Sequence, residues 1–173
     1  ARVYVNGQEA GYWPYGYNTF YLDVTPYLKE GMMNTLAVRL ENETESSRWY
    51  PGAGLYRNVH LVVTEDAHIP TWGTQLTTPV VKDDYAKVNI KTTLVVPSGK
   101  QFDAYRIVTE LKDKNGKVVT TNEKQGTRFD DNVFSQELVV THPALWSPET
   151  PVLYQAVSKV YEGNTLKDEY VTS

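Results

Sequence analysis

Apolar residues recur along this chain with a period of two. Val3 and Val5, then Leu36, Val38 and Leu40, then Val59, Leu61 and Val63 each put their side chains on one face of an extended segment. Val88, Ile90, Leu94 and Val96 repeat the pattern, as do Phe134, Leu138 and Val140. Between the runs lie Asn6-Gly7, Asn115-Gly116 and Gly163-Asn164, pairs that tolerate the positive φ of tight hairpins. Only two stretches predict helix, each about one turn long. Thr25-Pro26-Tyr27-Leu28-Lys29-Glu30-Gly31 offers a hydroxyl cap, a Pro in the first turn and a closing Gly. Thr141 to Trp146 is a second, weaker turn. No segment sustains a 3.6-residue period further, so the predicted class is all-β.

The composition shifts near Glu65. Residues 1–65 hold 11 of the 21 aromatic side chains, six of them between Tyr12 and Tyr21, whereas residues 66–173 are richer in Lys, Thr and Asp. Glu65-Asp66-Ala67-His68-Ile69-Pro70 reads as a joint, polar and ending in Pro. Beyond it, candidate strands fall at roughly 69–78, 86–96, 103–112, 117–122, 133–140, 152–161 and 166–172. Seven short strands separated by turn signals predict an immunoglobulin-like sandwich. Residues 1–65 supply about five strands, too few to close a large sandwich without leaving an apolar face uncovered. The opening Ala1-Arg2-Val3-Tyr4-Val5 lies in mid-strand, so the chain is expected to begin inside a domain.

Charge narrows the function classes. Lys and Arg total 17 against 21 Asp and Glu, a formal charge of -4 over 173 residues. Each side of the joint carries -2, so neither hides the basic stripe that nucleic acid demands. No run approaches the ~18 apolar residues of a membrane span. The absence of cysteine removes disulfides, thiolate nucleophiles and Cys-ligated zinc. His60, His68 and His142 form no metal-ligand spacing, and no Gly-rich phosphate loop or Gly-x-Ser-x-Gly elbow occurs. No metal and no cofactor is expected.

Carboxylates and aromatics are the remaining candidates for chemistry. A retaining glycosidase needs two carboxyl groups about 5–5.5 Å apart across a glycosidic bond. Glu41, Glu43 and Glu45 alternate with Asn42 and Thr44 after an apolar strand, the pattern of a solvated strand end. Asp23, just before Thr25-Pro26, is placed to bond local backbone. Trp13, Tyr15 and Tyr17 form either a platform for the flat C–H face of a sugar or a cover over the end of a sandwich. The densest segment runs from Ser46 to Val59, with Arg48, Trp49, Tyr50, Tyr56 and Arg57 among Pro51, Gly52 and Gly54. Arg and Trp there are the residue types that dominate contact surfaces.

That segment, Ser46-Ser47-Arg48-Trp49-Tyr50-Pro51-Gly52-Ala53-Gly54-Leu55-Tyr56-Arg57-Asn58-Val59, resembles the end of the sugar-binding sandwich in family 2 glycoside hydrolases, the β-galactosidase and β-glucuronidase group. Upstream, Val3-Tyr4-Val5-Asn6-Gly7, Gly16-Tyr17 with Phe20, Asp23-Val24-Thr25 and Asn34 with Leu36-Ala37-Val38-Arg39 share the likeness. Downstream, Trp72-Gly73-Thr74 resembles the start of that family's immunoglobulin-like domain. Leu145-Trp146-Ser147-Pro148-Glu149, with Pro151-Val152-Leu153-Tyr154, resembles a motif near its last strands. The resemblance implies that 1–65 is the C-terminal part of a jelly-roll-like sandwich and 66–173 an immunoglobulin-like sandwich. It also implies that both catalytic Glu residues lie on a (β/α)8 barrel outside this chain, so no catalytic residue is expected here. That barrel is the expected partner and a carbohydrate the substrate of the parent enzyme. At Arg48 the family's well-studied members carry an Asp that reaches the sugar, so this contact does not carry over. Arg48 instead binds a sugar hydroxyl or carboxylate, or pairs with the barrel; Trp49, Tyr50 and Arg57 are its companions at the pocket rim or barrel contact. The compartment is not fixed by composition, with the periplasm or exterior of a bacterium the leading expectation.

Overall fold

The computed structural model describes residues 1–42, 45, 52–128 and 131–173. The chain divides into two compact units, Ala1–Leu61 and Val62–Ser173. The all-β class is observed in both. The segment Glu65–Pro70, expected as a joint, packs within the second unit, where Ala67 and Ile69 are buried and His68 bridges to Val95.

The first unit holds a three-stranded antiparallel sheet in the order β2-β1-β3, from β1 (Arg2–Val5), β2 (Gln8–Tyr12) and β3 (Leu36–Arg39). Asn6 and Gly7, at φ 53 and 82, turn β1 into β2 as their sequence predicts. Asn6 does more than turn the chain. Its Nδ2 donates to Asn34 Oδ1 at 2.7 Å and to the Tyr27 carbonyl at 2.9 Å, and its Oδ1 accepts from the Thr35 amide at 3.1 Å. Asn34 Oδ1 also accepts the Lys29 amide at 2.8 Å. Two asparagines thus clamp the loop between β2 and β3 onto the hairpin, satisfying backbone groups that no strand reaches.

Three expectations for residues 1–65 need correction. The run Val59–Val63 forms no strand; Leu61 and Val63 are 73% and 83% exposed. Alternation is only half of a strand, because the backbone must also find a neighbouring edge, and none of the described strands pairs with this segment. Three strands are therefore described here, not five. Thr25–Tyr27 is a single 3-10 turn without a hydroxyl cap. Asp23 Oδ1 accepts the Thr25 amide at 2.9 Å instead, the local role expected of Asp23.

The second unit is a sandwich of two antiparallel sheets. One has the order β4-β5-β8, from β4 (Thr74–Val81), β5 (Tyr85–Thr93) and β8 (Val133–Thr141). The other has the order β10-β9-β6-β7, from β6 (Tyr105–Lys112), β7 (Val118–Gln125), β9 (Gln155–Glu162) and β10 (Thr165–Thr172). The chain crosses between sheets after β5, β7 and β8, the connectivity of an immunoglobulin-like sandwich. Pro79 coincides with a register shift in β4, an outer strand where its missing N–H leaves no ladder bond unmade. The weaker helical turn expected at Thr141–Trp146 is absent: β8 runs through Thr141, and His142 takes φ 48.

Strict alternation fills the interior. Val88 and Ile90 of β5, Ile107 and Leu111 of β6, and Phe134, Leu138 and Val140 of β8 are buried. They form two apolar clusters. Ile69, Leu94, Tyr105, Ile107, Phe134 and Val160 belong to one, Val88, Ile90, Leu111, Leu138, Val140 and Ala156 to the other. Between them, in strand order, lies a polar layer. Thr109 Oγ1 donates to Gln136 Oε1 at 2.7 Å, which leaves Ser158 Oγ, 3.1 Å away, to donate to Thr109. Gln136 Nε2 donates to the carbonyls of Asn122 at 2.9 Å and Ile107 at 3.2 Å. Asn122 Nδ2 in turn donates to the Glu137 carbonyl at 3.1 Å.

Near the surface of the four-stranded sheet, Lys159 Nζ donates to Glu110 Oε1 at 3.0 Å, and both side chains are largely shielded. The hydrogen bond from Lys159 holds the Glu110 carboxyl below the usual carboxylate range, and the same bond raises Lys159.

Two outcomes are expected. Thr109→Val leaves Gln136 Oε1 buried without its donor, and the unfolding free energy of the second unit drops by about 1–3 kcal/mol, read as a lower urea midpoint at unchanged m-value. Glu110, depressed in the folded state, stabilises it at pH values above the ordinary carboxylate pKa and loses that contribution as pH falls through its lowered value. Glu110→Gln should therefore flatten the acid limb of the stability–pH curve; an unchanged limb refutes the coupling.

Candidate functional site

The aromatic run after β2 is organised by its own stacking. Trp13 is anchored by reciprocal backbone bonds with Ala1, its amide donating to the Ala1 carbonyl at 2.8 Å and its carbonyl accepting the terminal ammonium at 2.7 Å. Its ring stacks on Phe20 at 5.7 Å between centroids and 13° between planes. One face of the indole is thus covered, and the side chain is half-buried. Tyr15 and Tyr17 differ: they are 54% and 61% exposed and meet edge-to-face at 5.7 Å and 64°. The three rings therefore do not form one surface. Trp13 packs inward with Phe20, and the tyrosine pair stands in solvent.

Arg48, Trp49 and Tyr50 lie outside the described residues, as does Glu43. Arg57 is exposed, its guanidinium carbon 5.5 Å from the centre of the Tyr56 ring. Leu55 and Tyr56 are exposed beside it. Glu41 pairs with Arg39 at 2.7 Å. The hydrogen bonds from Thr25 hold the Asp23 carboxyl below its ordinary value, as Lys100 does for Glu162. A glycosidic general acid needs the opposite, a carboxyl raised so that it keeps its proton near neutrality. Asp23, Glu110 and Glu162 are all displaced in the wrong direction for that task. Among the described residues no group of three or more His, Asp or Glu is placed to hold a metal ion, and no helix is long and apolar enough to cross a membrane.

In the second unit, the segment between β8 and β9 is braced by side chains instead of secondary structure. Ser147 and Thr150 exchange backbone bonds at 3.1 Å in both directions while their hydroxyls meet at 2.9 Å. The Ala144 amide donates to the Tyr154 hydroxyl at 2.9 Å. The bracing holds Leu145, Trp146 and Leu153 exposed on a loop of fixed shape.

Trp72 stands apart from the residues that the sequence singles out as site candidates. It takes φ 60 and is 59% exposed. For a bulky L-residue this left-handed conformation costs about 1–2 kcal/mol. The dipeptide Trp72-Gly73 carries a turn signal, but nothing in it reveals which residue takes the positive φ.

Comparison with known proteins gives a consistent result. The family described as Glycosyl hydrolases family 2 matches residues 67–173. The chain is 41% identical over 175 residues to beta-galactosidase BoGH2A of Bacteroides ovatus, an alignment spanning 99% of this chain and 20% of that protein. It is 34% identical over 174 residues to a putative beta-glucuronidase of Formosa agariphila, spanning 100% of this chain and 16% of that one. Among solved structures, a glycosyl hydrolase family 2 member from Bacteroides cellulosilyticus superposes with a TM-score of 0.89 at 35% identity, over 98% of this chain and 22% of the other. The chain thus spans about a fifth of the length of such relatives.

Proposed function

This chain belongs to glycosyl hydrolase family 2, and on that premise we propose that it is a non-catalytic region of a longer β-glycosidase, where it buttresses a (β/α)8 barrel and shapes the rim of its pocket. The observation that carries this reading is the lopsided coverage: nearly all of this chain aligns, yet it accounts for only 16–22% of the relatives. The likeness to enzymes named beta-galactosidase and beta-glucuronidase favours galactosides and glucuronides as substrates of the parent. The described strands contain no β/α repeat on which the family's pair of Glu residues is carried.

Exposed apolar side chains support a buttressing role. Leu145, Trp146 and Leu153 stand on the braced loop of the second unit; Leu55, Tyr56, Val59 and Leu61 are exposed in the first. Large apolar side chains left exposed together within one unit are of the kind that meets another protein surface. The exposed Tyr15 and Tyr17 favour a second reading, a carbohydrate-binding module whose ligand rests on that pair.

The two readings separate in the test tube. The 173-residue chain should not hydrolyse chromogenic β-galactosides or β-glucuronides, and turnover above a heat-inactivated control would overturn the non-catalytic assignment. In the full-length enzyme, alanine at Arg48 should lower kcat/KM roughly ten- to hundredfold, the loss of a charge-assisted contact of about 1.5–3 kcal/mol, and alanine at Trp49 should lower it as well. Arg57→Ala should lower Tm and leave the kinetics of the folded fraction nearly intact. Full activity in both Arg48→Ala and Trp49→Ala removes the rim role. Sugar binding by the isolated chain that is lost on changing Tyr15 and Tyr17 supports the second reading.

A further inference from the structure

The outer face of the β4–β5–β8 sheet carries a shallow, open cleft of about 390 Å³, lined in part by Trp72, Gln75, Lys91, Thr93, Asp131 and Ser135. Strand register explains how they meet. Lys91 lies opposite Gln75 on one side and Ser135 on the other. Alternation sends Ile90 and Thr92 into the core, so Lys91 and Thr93 project outward. Among the described residues Lys91 has no carboxylate within ion-pair distance, although Asp131 lines the same cleft.

Trp72 is held at this cleft against its own backbone preference. Its amide donates to the Tyr170 hydroxyl at 3.0 Å. The next residue, Gly73, is buried; its amide donates to the Pro70 carbonyl at 2.7 Å, and its carbonyl accepts the Thr93 amide at 2.7 Å. A Cβ on Gly73 would lie 2.7 Å from the Pro70 carbonyl oxygen and 2.9 Å from Ile69 Cγ2. These contacts fix φ 60 at Trp72 while 59% of the residue remains exposed. Strained backbone conformations persist where surrounding structure enforces them, and they concentrate at binding sites.

The lining selects a class of ligand. A pyranose has flat C–H faces for an aromatic ring and a rim of hydroxyls, each both donor and acceptor. The cleft supplies an indole, an amide, two hydroxyls, an ammonium and a carboxylate. Nucleic acid is disfavoured by a single cation beside a carboxylate, and an apolar ligand by the number of polar groups. We propose that this cleft binds one pyranose unit of an oligosaccharide, with Trp72 stacking on its C–H face and Gln75 and Lys91 bonding its hydroxyls. The proposal holds whether or not the rim residues touch substrate.

The test is an NMR titration of the ¹⁵N-labelled 173-residue chain with lactose, cellotriose and a glucuronate-terminated disaccharide, each raised to the order of 10 mM. At least one sugar should give saturable shifts at the Trp72 indole N–H and the Gly73 and Thr93 amides. Trp72→Ala should weaken that binding roughly tenfold or more. Gln75 and Lys91 are exposed strand residues, so the Gln75→Ala, Lys91→Ala double variant keeps the fold and decides the matter if Trp72→Ala does not fold. Preference for the uronate assigns the larger share to Lys91, and preference for a neutral sugar assigns it to Trp72; either supports the site. No saturable shift with any of the three overturns it, as do shifts confined to Tyr15 and Tyr17 or undiminished binding in the folded double variant. Because binding is read on this chain alone, failure here leaves the kinetic test of the accessory role untouched.

Discussion

One buried carboxamide holds the register of the second unit. Gln136 stands on β8 in the three-stranded sheet and bonds Thr109, Ile107 and Asn122 in the other, in a chain that has no cysteine to bridge them. Hydrophobic alternation alone leaves an ambiguity. A slip of one residue turns a strand inside out, but a slip of two restores its apolar face to the core. Gln136 removes that freedom, because a two-residue slip leaves its amide among apolar side chains with donors and acceptor unmet. The apolar clusters on either side then close around a layer whose position is already determined.

Much of this was legible in the chain. The periods of β5 and β8, the hairpin at Asn6-Gly7 and the seven strands of the second unit all follow from local pattern. What failed were elements whose formation depends on distant partners. Val59–Val63 has the alternation of a strand but no edge beside it among the described residues. The hydroxyl cap expected of Thr25 does not form; the Thr25 amide donates to Asp23 Oδ1, two residues away, instead. The turn expected at Thr141–Trp146 does not form: Thr141 ends β8 paired with Tyr85, and His142 takes φ 48 with its amide donating to the Asp84 carbonyl at 2.8 Å.

The candidate sites divide along the same line. That aromatic rings between Tyr12 and Tyr21 matter is visible in composition. That Phe20 covers Trp13 and leaves Tyr15 and Tyr17 outside is a fact of packing, invisible without coordinates. Asn6 and Asn34 lie in segments that resemble the family's, and the structure gives them a mechanical role as a clamp on the loop between β2 and β3. Trp72 shows the converse. Its backbone strain, not its residue type, singles it out.

The register shift at Pro79 bears on how this protein behaves in concentrated solution. An outer strand is a row of unmatched N–H and C=O groups that invites another chain to add to the sheet. In β4 that row is broken by an imide nitrogen and by the irregular step from Thr77 to Val80, so an incoming strand cannot zip along its length. At the opposite border, Asn122 occupies the Glu137 carbonyl of β8 from outside the sheet. Growth of the three-stranded sheet is thus hindered at one border by a ring and at the other by an amide.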